Sequence, residues 1–230
     1  MAVAHVFADR AAAGAELARE LRCRMPRLPP IVLGLARGGV AVARPVAAAL
    51  HAPLDVMVVR KIGLPGQPEL AIGAIAPGGI IVREPPFADQ GVRGERSADD
   101  DFQDTAFQRL VAEQRRELER REGLYRHGLP PLQLRGKAVI LVDDGLATGA
   151  TMIAAIRAAR RAQASSIIAA APVSSPEAAA RVTAEADEAV ILQTPASLCA
   201  VGEWYRSFDQ LDDEEVLRLL EPVNATAAGG

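Results

Sequence analysis

Short apolar runs punctuate the chain, and between them alanine and leucine recur at helical spacing. IVLGL (31–35), DVMVV (55–59), the LRGKAVILVDD stretch (134–144), SSIIAAAPV (165–173) and EAVILQT (188–194) are too short and too β-branched for helices and predict buried strands. Helices are expected at 10–22, with Asp9 as N-cap, and at 40–50, 149–163, 176–185 and 212–220. Pro26, Pro29 and Pro30 stop the first of these, and Pro45 weakens the second near its first turns. LAIGAIAPGGIIV (70–82) predicts a hairpin turning at Pro77-Gly78-Gly79. RKIGLPGQPE (60–69) predicts a polar, Gly/Pro-broken loop, and 84–100 is irregular and charged. From Asp101 to Tyr125 mixed charges at helical spacing predict a long helix with an exposed face.

Buried strands alternating with helices imply βαβ units, hence an α/β fold: an open, mainly parallel sheet with helices on both faces. One domain over 1–222 is expected, its core at about 28–60 and 134–195, with an inserted hairpin and helix at about 61–130 and a tail at 223–230. A chain of 230 residues, half of them hydrophobic, is long enough for one good core. Net charge is −3 and pI near 5.7, so no basic face for a nucleic acid is expected. Cys23 and Cys199 form no metal-like or disulfide framework, which suits a reducing cytosol, so a cytoplasmic location is expected. No apolar run is long enough to cross a bilayer, no membrane partner is expected, and the opening residues lack the features of a signal peptide. His5, His51 and His127 are scattered, with no catalytic triad or metal cluster around them.

The chemistry concentrates in VILVDDGLATGAT (139–151). Asp143 and Asp144 end a strand, where open α/β sheets collect their ligands. The next loop, Ala147-Thr148-Gly149-Ala150-Thr151, opens a helix whose first amides lack intrahelical partners. Small side chains let an anion approach those amides, and two threonine hydroxyls add donors. Two carboxylates suit a vicinal diol, so acids and loop together describe a ribose 5-phosphate site. A solvated acid pair is the plain alternative. A receiver domain does not fit, because the next strand ends without an acid, and a nucleotide P-loop would need a lysine that is missing.

The whole stretch resembles the phosphoribosyl pyrophosphate motif of type I phosphoribosyltransferases. The resemblance extends over about 1–220, towards the bacterial predicted phosphoribosyltransferases, and implies that family's fold. It also implies a pyrophosphate loop, which Ala36-Arg37-Gly38-Gly39 resembles; in the family this loop often holds a non-proline cis peptide. An ordinary tight turn is the alternative there. Arg60 and Lys61, followed by Gly63, Pro65 and Gly66, resemble the mobile loop of adenine-type enzymes, or else form a basic surface turn.

The family's small hood over the nitrogenous acceptor would lie at about 196–222. Trp204 and Tyr205 would bind the acceptor there, with Phe208 nearby, in a chain only 3% aromatic. A satellite core cluster is the alternative for these residues, and Tyr125 and Phe87 are read as structural. Ala147 stands where 6-oxopurine enzymes carry an aspartate, which argues against hypoxanthine or guanine and is compatible with adenine- or uracil-like patterns.

The implied reaction transfers 5-phosphoribosyl from phosphoribosyl pyrophosphate to a nitrogen acceptor. Asp143, Asp144, Arg37 and Lys61 would be catalytic, 143–144 and 147–151 would hold ribose 5-phosphate, and 36–39, Arg60 and Lys61 the pyrophosphate. Mg²⁺ would ride on substrate oxygens and water, with no protein metal site. The rival reading is a regulatory protein that binds phosphoribosyl pyrophosphate or a nucleotide without turnover. A third makes the exposed 101–125 helix an assembly surface over a relic site. A homo-oligomer is open on each.

Overall fold

The computed structural model describes residues 6–64, 66–84 and 98–221, with backbone only at 67–70, 98–104 and 106. His5, Pro65, Phe87, most of the 84–100 stretch and the 223–230 tail lie outside the described residues.

Helix α1 (Arg10–Arg22) begins at Asp9, whose carboxylate accepts from the Ala12 amide at 2.7 Å, the cap expected of that residue. β1 (Pro30–Leu35) leads into α2 (Gly38–Leu50), and β2 (Leu54–Met57) follows. Pro45 sits inside α2, yet α2 and α1 pack tightly: a Cβ on Gly14 would stand 2.3 Å from the Val42 carbonyl oxygen. Only glycine allows that approach.

Next come β3 (Arg60–Leu64), β4 (Gln67–Ala76), a short 3-10 turn at 77–79, β5 (Ile80–Arg83) and α3 (Ala98–Tyr125). The chain then alternates through β6 (Ala138–Val142), α4 (Ala150–Arg161), β7 (Ser166–Val173), α5 (Pro176–Glu185) and β8 (Glu188–Gln193), and closes on α6 (Asp213–Leu220). α6 starts on a capping box between Asp212 and Glu215.

Five strands form one parallel sheet in the order β2-β1-β6-β7-β8. Its two faces follow the period-two alternation of the strands. Val32, Ile140, Ile168 and Val190 pack with Leu17, Leu21, Val42 and Val46 of α1 and α2. Leu33, Val139, Leu141 and Ile167 pack with Ile153 and Ile156 of α4 and Val182 of α5. Burying each such side chain contributes roughly 1.5–3 kcal/mol. β1 and β6 pair side by side, Gly34 opposite Val142, and the helices after them leave to opposite faces. That is the switch point of an open α/β sheet, where a crevice opens beyond the strand ends.

One expectation is corrected. The stretch expected as a loop at 60–69 is mostly strand: β3 takes 60–64 and β4 starts at Gln67, and β3-β4-β5 make a separate antiparallel sheet in place of a lone hairpin. Lys61 pairs opposite Ala74, and Ile62 is fully buried against Val58, Ile75 and Phe107. The register shifts on both sides of Gly63, so the strand is bulged, and its glycines and polar residues obscure the alternation that would announce it. Helix α3 also begins at Ala98, ahead of the expected start.

Candidate functional site

The two acids follow β6 directly, and the Asp143 amide donates to the Ala170 carbonyl at 3.1 Å, which continues the sheet one residue further. Their side chains diverge. Asp143 accepts from the Asp144 amide at 3.0 Å and from the Thr151 hydroxyl at 3.3 Å. Asp144 accepts from Arg10 Nε at 2.8 Å. Burial raises the Asp143 carboxyl well above the ordinary carboxylate value, and the Asp144 charge adds to this. Burial also raises Asp144, and the Arg10 guanidinium opposes the rise. Such perturbed groups cluster at functional sites.

The loop after β1 is pressed against these acids. A Cβ on Gly38 would fall 1.8 Å from Asp144 Oδ2, and one on Gly39 would fall 2.4 Å from the Val142 carbonyl oxygen and 2.9 Å from Asp143 Cα. The glycines therefore let the start of α2 touch the end of β6, which makes the 36–39 loop and the acid pair one surface. The Ala36–Arg37 peptide bond is cis, the feature that the resemblance implies for this loop.

The 147–151 loop lies on the other flank. Gly149, the N-cap of α4, adopts φ +80° and has no side chain to cap the helix. Thr148 Oγ1 accepts from the Ala150 amide at 3.3 Å. The loop's carbonyls are held from behind: Ser175 Oγ donates to Ala147 O at 2.8 Å and Arg181 to Thr148 O at 2.9 Å. Fixed carbonyls and a helix start whose N-cap glycine makes no side-chain cap bond leave an amide-lined end for an anion. Ala147 and Thr148 are exposed at its mouth, while Gly149 and Ala150 are buried.

The basic residues stand on elements around this surface. Arg37 is the N-cap of α2, and its guanidinium lies 4.0 Å from Asp213 of α6. Arg60, on β3, donates from Nε and Nη2 to Gln114 Oε1 of α3, at 3.1 and 2.9 Å. Burial lowers its pKa, with Arg121 and then Arg37 contributing repulsion. An anion among these guanidinium groups would relieve that repulsion. Lys61 is exposed on the same strand, next to buried Ile62.

The aromatic residues meet the site differently. Tyr205 is buried, its ring 5.6 Å from Phe7 and 4.9 Å from Phe208, and its hydroxyl donates to the Asp144 carbonyl at 2.5 Å. Trp204 is half-buried in the same small cluster, and its carbonyl accepts from the Phe7 amide. This ties residues 205–209 to the acids. Among the described residues no group of three or more His, Cys, Asp or Glu could hold a metal, and no helix is long and apolar enough to cross a membrane. Both cysteines are exposed free thiols.

Sequence reasoning passed over Arg10, Gln114, Ser175, Arg181 and Asp213. None lies in a motif, and each reaches the site from a distant element, Arg10 from 134 residues before its carboxylate. Only Ser175, ahead of Pro176 at a helix start, carried a local signal, as a cap.

A family model described as "Phosphoribosyl transferase domain" matches residues 6–195. Two curated proteins from strains of Mycobacterium tuberculosis, both named "Putative phosphoribosyl transferase", are 43% identical over 216 residues, which is 94% of this chain and 46% of each relative. The chain thus spans about half the length of the curated relatives it matches. A crystal structure of a Thermus thermophilus protein is 42% identical, covers 94% of this chain and 97% of that one, and superposes with a TM-score of 0.73.

Proposed function

This chain belongs to the phosphoribosyl transferase domain family, and from that premise we propose that it moves a 5-phosphoribosyl group from phosphoribosyl pyrophosphate to a nitrogen nucleophile. The observation that carries the reading is the contact of Gly38 and Gly39 with Asp144 and Asp143. It joins the 36–39 loop to an acid pair that the 147–151 loop follows in the chain, and a sugar with a phosphate at one end and a pyrophosphate at the other would suit that order.

In this reading the 147–151 amides and threonine hydroxyls bind the 5-phosphate. The acids hold the ribose diol and favour the positive charge that develops as the C1–O bond to pyrophosphate stretches. The 36–39 amides, Arg37, Arg60 and Lys61 take up charge on the departing pyrophosphate, and the nitrogen lone pair then forms the new bond to C1. Preorganised groups of this kind are worth roughly 3–4 kcal/mol each.

Both Asp143 oxygens already accept hydrogen bonds and one Asp144 oxygen faces Arg10, which fits Mg²⁺ held by pyrophosphate oxygens and water rather than by a protein cage. The ion would neutralise the leaving group's charge. Half-buried Trp204, in one cluster with buried Tyr205, would stack on a planar nitrogen heterocycle.

The test is pyrophosphate release from phosphoribosyl pyrophosphate with Mg²⁺ and a panel of purines, pyrimidines and amines. Acceptor-dependent release is expected. Tight binding of the donor with no release for any acceptor would instead mark a regulatory binding protein, and no binding at all would remove the proposal.

A further inference from the structure

Arg10 opens α1, far in sequence from every motif, yet its side chain reaches the centre of the site. Its Nε donates to Asp144 Oδ2 at 2.8 Å, and its Nη1 donates to the Asp209 carbonyl at 2.8 Å. Its guanidinium carbon lies 3.8 Å from the centroid of the Phe208 ring. The pair is largely enclosed, the Arg10 side chain 12% and the Asp144 side chain 17% exposed. A rigid planar fork can meet a carboxylate, a carbonyl and an aromatic face together, whereas an ammonium cannot.

We infer that Arg10 is a positioning residue, which holds Asp144 as a carboxylate, occupies its Oδ2 and leaves Oδ1 for the sugar diol. The inference rests on the sugar-phosphate reading of Asp144 given above. The electrostatics of the site explain why such a residue is needed. Two adjacent carboxylates at a buried strand end are poor neighbours, and one of them would otherwise keep its proton. A protonated Asp144 would be a poorer acceptor for a diol, because one of its oxygens would carry a proton. Among the described residues, the charged or titratable groups about Asp144 are Arg10 from α1, Asp143 just past β6 and the Tyr205 hydroxyl, which donates to the Asp144 backbone carbonyl. Gly38 of α2 adds no charge, so among the described residues Arg10 is the cation that contacts this carboxylate. The same guanidinium also joins the acid to residues 208–209. The segment that borders the acceptor entrance is thereby held in register with the group that grips the ribose.

The experiment uses the full chain as wild type, Arg10→Gln and Arg10→Lys. Side-chain carboxyl signals of Asp143 and Asp144 are followed by NMR against pH, and ribose 5-phosphate binding is measured by calorimetry over the same range, with thermal unfolding to confirm folding. In Arg10→Gln the Asp144 titration should move up by about one to three pH units, the effect of an opposite charge at this distance. The pH below which ribose 5-phosphate binding is lost should move up with it. Arg10→Lys should restore most of the titration shift, because the charge returns, but only part of the affinity, because the link to Asp209 does not.

An Asp144 titration equal to wild type in a folded Arg10→Gln protein overturns the inference, as does a loss of affinity that is the same at every pH. If wild type binds no ribose 5-phosphate at any pH, the sugar-phosphate reading fails. The carboxyl titration then still decides whether Arg10 holds the charge of Asp144.

Discussion

Asp143 and Asp144 carry opposite demands for stability and for chemistry. A carboxyl raised in the folded state contributes stability at low pH, and that contribution is lost as pH rises through the folded value. Both acids are raised, so in the ionised form they cost stability at neutral pH. Asp143→Asn should therefore raise the melting temperature at pH 7.5 and flatten its dependence on pH, since an amide oxygen can still accept from the Asp144 amide or Thr151. A lower melting temperature would show that the ionised form is the stabilising one. Catalysis should move the other way: Asp144→Asn should reduce pyrophosphate release by at least about a hundredfold. The two glycines make a second pair of contrasts. A Cβ at Gly38 meets the movable end of the Asp144 side chain, while one at Gly39 meets backbone. Gly38→Ala should weaken ribose 5-phosphate binding by displacing Asp144 from Arg10, and Gly39→Ala should cost about 1–3 kcal/mol in denaturant unfolding.

Elements meet the site through few, specific links. The inserted antiparallel sheet reaches the 147–151 loop through one of them. Arg181 of α5 donates to Glu84, just past β5, at 2.6 Å and to the Thr148 carbonyl at 2.9 Å. Glu84 is buried, and its Oε1 has no hydrogen-bond partner. Removing Arg181 leaves that carboxylate in the interior without its cation and frees a carbonyl of the anion loop. Arg181→Met should cost about 1–3 kcal/mol of stability and lower affinity for ribose 5-phosphate. Glu84→Gln in the same background should recover part of the stability but none of the affinity. Helix α6 makes a comparable link. Its Asp213 accepts from the Tyr125 hydroxyl at 2.5 Å and from Arg120 at 3.1 Å, and lies 4.0 Å from Arg37. Hydrogen bonding to Tyr125 holds the Asp213 carboxyl below its ordinary value.

For the molecule as a whole, the site lies where the sheet order reverses and three bodies meet: the parallel sheet with its helices, the inserted sheet with α3, and the segment at 204–209. A ligand that bridges them should stabilise the folded chain by mass action, about 2.7 kcal/mol at a concentration one hundred times Kd. Ribose 5-phosphate should therefore raise the melting temperature of wild type in a concentration-dependent way and leave that of Asp144→Asn nearly unmoved. An equal shift in both would place the ligand elsewhere.

The sequence by itself determined what depends on neighbours along the chain. α1 and α5 have the expected bounds, the strands of the parallel sheet sit where the apolar runs lie, and the loops after β1 and β6 run into helices close to the expected places, α2 starting at Gly38 rather than 40 and α4 at Ala150 rather than 149. Strand alternation, helical spacing, caps and small-residue turns are local, so a single sequence displays them. Tertiary structure alone decided the rest. Ile62 finds its partners across a bulged pairing that no local pattern marks. Tyr205 turns inward because Phe7, from the other end of the chain, packs against it. Arg10 reaches Asp144 because the start of α1 lies beside the end of β6, and a contact between residues so far apart leaves no trace in the residues around either one.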